Sequence, residues 1–228
     1  MSRDVLSRFA PTGTIVPYGD LPEQVVERWP GEGPTVVFVH GGFWRAEYDR
    51  THVRPLCNDL AARGYDVAAV EFRRTAPGVP GWTATFDDVL AALRFIGGEP
   101  VLAGHSAGGH LALWAASRRA RVKGVLALAP VTDVVTAYRD DLDGGAALAL
   151  LGGSPEEVPE RYAGATPGDP GVPAVLIHGD ADAQVPVTQS RGYGHGRLVE
   201  LPGVDHFALI DPESGVWGVV LDALASLA

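Results

Sequence analysis

Short apolar runs alternate along this chain with longer amphipathic segments, and that alternation limits the folds that it can adopt. The runs are rich in Val, Leu and Ile and are flanked by Gly or Pro, as buried strands of a parallel sheet are. We predict strands at Thr35–Val39, Asp66–Glu71, Pro100–Gly104, Val122–Leu128 and Ala174–His178, a weaker one at Arg197–Leu201, and an antiparallel edge strand at Gln24–Trp29. The sequence therefore predicts an α/β fold with a mostly parallel central sheet flanked by helices.

The segments between these strands carry apolar residues at helical spacing. In one of them Val89, Leu90 and Leu93 share a face, while Asp87 and Asp88 lie in the first turn, where acidic side chains favour the positive end of the helix dipole. We predict helices at His52–Arg63, Phe86–Ile96, Ala107–Arg119 and Gly215–Leu227.

The stretch Val131–Val172 interrupts this alternation. It contains Gly144-Gly145, Gly152-Gly153 and several prolines around short helical pieces, and we interpret it as a small cap-like insertion over the sheet edge.

The whole chain has 228 residues. Since chains divide into separate domains only beyond roughly 250–300 residues, we expect residues 1–228 to form a single domain.

Net charge, cysteine content and hydropathy argue against nucleic-acid binding, disulfide bonds and membrane insertion. The formal net charge is -10, which disfavours nucleic acid because phosphate binding needs clustered Lys and Arg. The single cysteine, Cys57, rules out an internal disulfide. Residues Met1–Pro11 lack the apolar core of a signal peptide, and no apolar stretch approaches the roughly 18 residues of a membrane span. We expect a cytoplasmic protein with no membrane association; monomer and homodimer both remain open.

The segment Gly104-His105-Ser106-Ala107-Gly108 lies between a predicted strand and a predicted helix. This is the context of a G-x-S-x-G nucleophile elbow, a tight turn that holds a serine hydroxyl above the sheet. Glycines fit at its two ends because neighbouring backbone passes close to both positions. A plain glycine-rich turn would not require a strand before it and a regular helix after it, so we predict Ser106 as a nucleophile.

A serine hydroxyl is a weak nucleophile near neutral pH and needs a base within hydrogen-bond reach. In folds that use this elbow the order along the chain is Ser, acid, His. His206 follows Ser106 in a loop between the last predicted strand and helix, at the sheet edge where Ser106 also lies. We therefore predict His206 as the base, and we interpret His110, one helical turn after Ser106, as structural.

The acid has three candidates. Asp205 adjoins His206, and neighbouring side chains in a loop usually diverge. Asp180 and Asp182 both follow the strand Ala174–His178. Asp182 lies deeper in the turn and is the preferred candidate to fix the imidazole tautomer, whereas Asp180 would brace the loop; the choice between them stays open.

Hydrolysis of a carbonyl also needs donors for the negative charge that develops on its oxygen. The elbow supplies the backbone N–H of Ala107. The segment His40-Gly41-Gly42-Phe43-Trp44 follows an early strand, and its glycines allow backbone amides to approach a ligand closely. We assign the remaining oxyanion donors to Gly42 and Phe43.

These motifs resemble those of the α/β-hydrolase superfamily from about Thr35 to the C-terminus. His-Gly-Gly-Phe-Trp, Gly-His-Ser-Ala-Gly-Gly-His, His-Gly-Asp-Ala-Asp-Ala-Gln-Val-Pro and Asp-His-Phe look like the hormone-sensitive-lipase-like carboxylesterases, and most like their kynurenine formamidase (arylformamidase) branch. The resemblance implies a cofactor-free serine hydrolase. By this resemblance the triad is Ser106, Asp182 and His206, and the oxyanion donors are Gly42, Phe43 and Ala107. The chain is shorter than most family members, and its cap segment is modest.

The expected pocket lies over Ser106, under the insertion, with walls from Phe43, Trp44, Trp82 and Phe207; core packing is the alternative for Trp44 and Trp82. Aromatic walls suit a flat or apolar group, which favours hydrolysis of an aryl formamide such as N-formylkynurenine. A short-chain carboxylesterase is the close alternative. A hydrolase-fold protein that binds a ligand without turnover is a third. No H-E-x-x-H motif or Cys/His cluster indicates a metal-dependent enzyme.

Overall fold

A computed structural model describes residues 2–228, and an eight-stranded sheet forms the centre of that part of the chain. The strands are β1 Thr14–Pro17, β2 Val25–Trp29, β3 Thr35–Val39, β4 Asp66–Val70, β5 Val101–His105, β6 Gly124–Leu128, β7 Ala174–Gly179 and β8 Arg197–Leu201. Their order is β1-β2-β4-β3-β5-β6-β7-β8. From β4 onward all neighbours are parallel, while β1 and β2 add an antiparallel edge. The predicted mostly parallel sheet is confirmed.

Strand β1 was absent from the sequence prediction. It has four residues, three of them exposed, and it ends in Pro17 at the edge of the sheet. An edge strand buries little apolar surface and tolerates proline, so its sequence lacks the apolar signal that identified the inner strands.

The helices are α1 Arg54–Ala62, α2 Ala84–Ile96, α3 Ala107–Ser117, α4 Val134–Arg139, α5 Ala146–Leu151, α6 Pro159–Ala165, α7 Thr188–Gly192 and α8 Trp217–Ala225. Short 3-10 helices cover Ser2–Ser7, Arg50–Val53 and Ala208–Ile210. Helix α1 begins two residues later than predicted because the 3-10 turn precedes it and Pro55 occupies its first turn. No helix of residues 2–228 is both long enough and apolar enough to cross a bilayer.

The sheet separates two apolar layers. Along β3, Val37 and Val39 pack on the side of α2 and α3, and Val36 and Phe38 pack on the side of α1 and α8. Helix α3 is buried from Ala107 to Ala116, since it lies directly on the middle of the sheet. This burial fixes the start of α3, and therefore the serine before it, relative to the strand ends.

The segment Val131–Val172 forms α4, α5 and α6, and its buried residues join the same apolar layer as α2 and α3. One ionic contact ties it to the loop after β3. The Arg45 guanidinium donates from Nε to the Asp143 carboxylate (2.6 Å) and from Nη2 to the carbonyls of Asp143 (2.5 Å) and Gly144 (3.2 Å). The segment is thus packed against the main core and joined to the loop after β3.

Candidate active site

Ser106 occupies the sharp turn between β5 and α3. Its backbone has φ 57° and ψ -121°, a conformation that is unfavourable for a residue with a side chain, and its N–H donates to the Leu128 carbonyl (2.8 Å). The turn depends on Gly108, where a Cβ atom would come within 2.0 Å of the Val39 carbonyl oxygen. Packing on both sides therefore holds the Ser106 backbone in a strained conformation at the carboxyl end of β5.

Ser106 opens into a pocket that encloses about 60 Å³, or about 490 Å³ of empty space when its mouth, which is open to solvent, is included. The pocket walls come from the N-terminal segment, the loop after β3, the elbow, the insertion and the loops after β7 and β8. They comprise Leu6, Gly42, Phe43, Tyr48, His52, His105, Ser106, Asp143, Gln184, His206 and Phe207. Ser106 and His206, separated by 100 positions in sequence, thus face one cavity.

His206 is held by a carboxylate behind it. Its Nδ1 lies 2.6 Å from Oδ2 of Asp182, whose other oxygen accepts the backbone N–H groups of Gln184 and Val185 (2.8 Å each). Burial works to raise the pKa of Asp182, but hydrogen bonds from His178 and His206 outweigh it and hold that pKa well below its usual range. An ionised carboxylate only accepts, so Nδ1 of His206 donates and Nε2 is left as the nitrogen that can take up a proton.

The other two aspartates considered as the acid have different partners. Asp180 accepts the Gly203 N–H (2.6 Å), and Asp205 accepts the N–H groups of Phe207 (3.1 Å) and Ala208 (3.0 Å). Both carboxylates therefore brace the loops that carry the site. Asp182 is the carboxylate that contacts the His206 ring.

Two buried histidines support this arrangement, and sequence reasoning assigned neither of them a part in the site. His178 lies 2.9 Å from the Val185 carbonyl and 3.3 Å from Asp182 through Nε2. His105 lies 3.0 Å from the backbone carbonyl of His206 through its own Nε2. Burial, and then the neighbouring His206, lower the pKa of His105 well below its usual value, so this ring is a neutral donor that fixes the His206 backbone. Its position beside Ser106 was the available signal.

The loop after β3 places backbone amides beside the pocket. Gly42, Phe43 and Trp44 all have positive φ (110°, 49° and 58°), and a Cβ atom at Gly42 would lie 2.4 Å from Cβ of Tyr48. Gly42 and Phe43 line the pocket with Ser106. Ala107 begins α3, so its N–H belongs to the first turn, where amides have no acceptor within the helix. These three positions can supply donors to an oxygen bound at Ser106.

Trp44 and Trp82, which were expected to line the pocket or to pack in the core, are not among the residues of its walls. Trp44 is buried, and its ring packs edge-on against His110 with centroids 5.2 Å apart. Trp82 packs against Phe86 (4.9 Å) and closely against Gly164 of α6. Burial of a large indole between helices removes more apolar surface from water than exposure to a polar pocket would. Phe43 and Phe207 supply the aromatic walls instead.

Several pocket residues had no sequence signal, because they come from loops without periodic patterning. Tyr48, Asp143 and Gln184 give the walls a polar character, and Leu6 reaches the pocket from the N-terminal 3-10 helix.

His52 is buried, and desolvation followed by the nearby His40 charge lowers its pKa to about 3, so it is neutral. Within residues 2–228, no three His, Cys, Asp or Glu side chains are grouped as a metal site.

Solved structures with similar folds cover almost the whole chain. A truncated carbohydrate esterase from gut microbiota has a TM-score of 0.76 at 18% identity, covering 95% of this chain and 97% of that one. The acetyl ester-xyloside bifunctional hydrolase of Caldicellulosiruptor lactoaceticus has a TM-score of 0.73 at 18% identity, covering 95% and 96%. Phosphonate-inhibited esterase B from Lactobacillus rhamnosis has a TM-score of 0.76 at 21% identity, covering 99% and 89%. The chain therefore has the α/β-hydrolase fold.

At these identities the likeness to solved structures concerns the fold. No curated protein sequence matches the chain significantly. The family model BD-FAE, in contrast, matches residues 26–194, which include the glycine loop, the elbow and Asp182. Because that match spans well over half of the sequence, the chain belongs to the BD-FAE family.

Proposed function

We propose that this protein hydrolyses carboxylic esters through an acyl-enzyme on Ser106. The observation that carries the proposal is the pocket lined both by Ser106, at a strained elbow, and by His206, whose tautomer is fixed by Asp182. Such an arrangement activates a serine without a cofactor.

In the proposed reaction Ser106 Oγ attacks the ester carbonyl while Nε2 of His206 takes its proton. Asp182 stabilises the resulting imidazolium, and the amides of Gly42, Phe43 and Ala107 stabilise the negative charge on the former carbonyl oxygen. His206 then returns the proton to the departing alcohol. Water repeats the sequence, breaks the acyl–serine bond and releases the acid.

The dimensions and polarity of the pocket favour a small acyl group on a polar alcohol. Its enclosed volume, about 60 Å³, is well below the roughly 300–1,000 Å³ typical of ligand sites, so only a small group fits beside Ser106. Tyr48, Asp143 and Gln184 provide hydrogen-bonding groups. Similar folds belong to a carbohydrate esterase and an acetyl ester-xyloside hydrolase, which makes acetylated, hydroxyl-rich compounds the first substrates to test.

An aryl formamidase is the second candidate. Phe43 and Phe207 border the pocket, the Phe207 ring lies 5.1 Å from that of His206, and formyl is the smallest acyl group. The position of Trp44 and Trp82 outside the pocket removes half of the aromatic wall on which this candidate first depended.

Steady-state kinetics with p-nitrophenyl acetate and N-formylkynurenine separate these candidates. We expect kcat/KM to be higher for the ester; a clear preference for the formamide would reverse the assignment.

Ser106→Ala should lower kcat about 10⁶-fold and abolish labelling by a fluorophosphonate, with Tm unchanged. Ser226→Ala, which removes a hydroxyl bonded within the C-terminal segment, is the matched control. A wild type that neither turns over nor labels would favour a non-catalytic ligand-binding role.

A further inference from the structure

His40, the first residue of the glycine-loop motif, has an acceptor at each ring nitrogen. The side chain is fully buried. Its Nδ1 lies 2.7 Å from the Gly41 carbonyl oxygen, and its Nε2 lies 3.0 Å from Oε1 of Glu71. A carbonyl oxygen only accepts hydrogen bonds, so Nδ1 carries a proton. The charge of the ring then depends on whether Glu71 is ionised.

Glu71 is surrounded by donors. It accepts from Nη1 of Arg74 (2.6 Å) and from the backbone N–H groups of Phe72 (3.0 Å) and Arg50 (3.1 Å). Burial works to raise its pKa, but the attraction and hydrogen bond of His40, with Arg74 and Arg50, outweigh burial and lower that pKa to about 2. Arg74 and the two backbone N–H groups are donors whatever the charge of His40, so Glu71 accepts in each of these bonds and Nε2 of His40 is the donor in their contact. Both ring nitrogens of His40 then carry protons.

The charged groups around this pair balance before His40 is counted. Glu27 is completely buried and binds Arg50 through Oε2 (2.9 Å) and Arg54 through Oε1 (2.8 Å), which links it to Glu71 by way of Arg50. Arg50, Arg54 and Arg74 thus face Glu27, Glu71 and the nearby Asp49. The neutral His52 lies 5.6 Å from the His40 ring, and Asp49 is near enough to feel its charge.

The charged ring lies directly behind the glycine loop. A Cβ atom on Gly41 would lie 3.1 Å from Cβ of Ser106 and 2.9 Å from the His105 carbonyl oxygen, so the loop touches the elbow one residue after His40. On the other face, the His40 ring stacks on Phe72 with centroids 4.5 Å apart. The ring can therefore neither turn nor reach solvent.

We infer that His40 is a buried imidazolium that acts as a positioning residue for the oxyanion loop. Its Nδ1–H fixes the Gly41 carbonyl and hence the direction of the following amides. Its charge, poorly screened because it is buried, favours negative charge on the bound carbonyl oxygen. The catalytic part of this inference rests on the proposed ester hydrolysis, whereas the protonation state does not.

Ring ¹⁵N–¹H NMR on histidine-labelled wild type tests the protonation state directly. At neutral pH both His40 ring nitrogens should carry protons, because each of them faces an acceptor. The His40 signals are identified by their loss in His40→Gln. A His40 ring with one unprotonated nitrogen at neutral pH would overturn the inference.

Glu71→Gln tests the effect on catalysis. Without the carboxylate, His40 can lose a proton as the pH rises, so the ratio of variant to wild-type kcat should fall with pH by about tenfold at unchanged KM. This is less than the 10²–10³ of a lost direct donor, because His40 does not touch the substrate. Arg54→Gln, which disrupts only the Glu27 end of the cluster, should leave that ratio flat and near one.

A constant Glu71→Gln ratio across the pH range would mean that the charge of His40 does not act on turnover. If Glu71→Gln does not fold, the NMR measurement on the wild type still decides the protonation state. A wild type that hydrolyses no ester would refute the proposed function alone, since the His40 signals are read without substrate.

Discussion

Two buried histidine–carboxylate pairs flank the same serine, and they differ in what the second ring nitrogen faces. In His206–Asp182 the pair is 2.6 Å apart, and His206 lines the pocket. In His40–Glu71 the pair is 3.0 Å apart, and the other nitrogen of His40 faces the Gly41 carbonyl. The first ring can gain and release a proton during turnover. The second holds both of its protons.

The comparison shows that a carboxylate partner does not by itself make a histidine a base. Asp182 and Glu71 both have lowered pKa values, and both accept backbone N–H groups besides the imidazole. The distinction lies in the surroundings of the opposite side of the ring, which is a cavity in one case and backbone in the other. Only a nitrogen that faces a cavity can exchange a proton with a substrate.

The largest expected effect separates the two aspartates near His206. Asp182→Asn keeps the shape of the side chain but allows the wrong imidazole tautomer, so kcat should fall about 10⁴-fold, as for the equivalent change in a serine protease triad. Asp180→Asn can still accept the Gly203 N–H and should change kcat by no more than a few-fold. Kinetics with p-nitrophenyl acetate measure both, and a greater loss in Asp180→Asn would contradict the pairing.

The next effect concerns the stability of the native state, and it tests the His40–Glu71 pair. The pKa of Glu71 is lowered from 4.5 to about 2, so its ionised form stabilises the native state above about pH 4.5, and that contribution disappears as the pH falls through about 2. The shift corresponds to about 3 kcal/mol. Urea unfolding between these pH values should therefore show a shallower loss of stability in Glu71→Gln than in wild type. The exposed Glu156→Gln should follow the wild-type curve, and parallel curves for all three proteins would contradict the assignment.

The smallest effect tests how His105 positions His206, the residue that takes up the proton. His105→Phe removes the donor to the His206 carbonyl, which should lower kcat about tenfold with little change in KM, because the base is displaced rather than removed. His105→Gln retains an N–H group and should recover part of the loss. The exposed His195→Phe is the control. Equal kcat in His105→Phe and wild type would leave His105 as packing alone.

The parts of the molecule that could be predicted from sequence are those with local signals. The inner strands and α3 follow from apolar patterning, and the elbow follows from glycine spacing between a strand and a helix. Sequence alone left Asp180 and Asp182 unresolved, since both follow β7; the distance from His206 to Asp182 distinguishes them.

What could not be predicted depends on side-chain direction and on non-local packing. Phe43 and Trp44 are adjacent and both have positive φ, yet one lines the pocket and the other is buried against His110. Leu6 and Asp143 reach the pocket from segments far apart in the chain. The contact of His40 with Glu71 joins residues 31 positions apart, and no spacing rule relates them.

The left-handed backbone of Ser106 sets durability and activity against each other. Glycine adopts positive φ at little cost, so the residue that would suit this turn best is one that cannot attack a carbonyl. A directed-evolution campaign that selected only for heat resistance would therefore be drawn to replace Ser106. Selection for robustness in this protein must be coupled to a measure of turnover, or it will discard the side chain on which turnover depends.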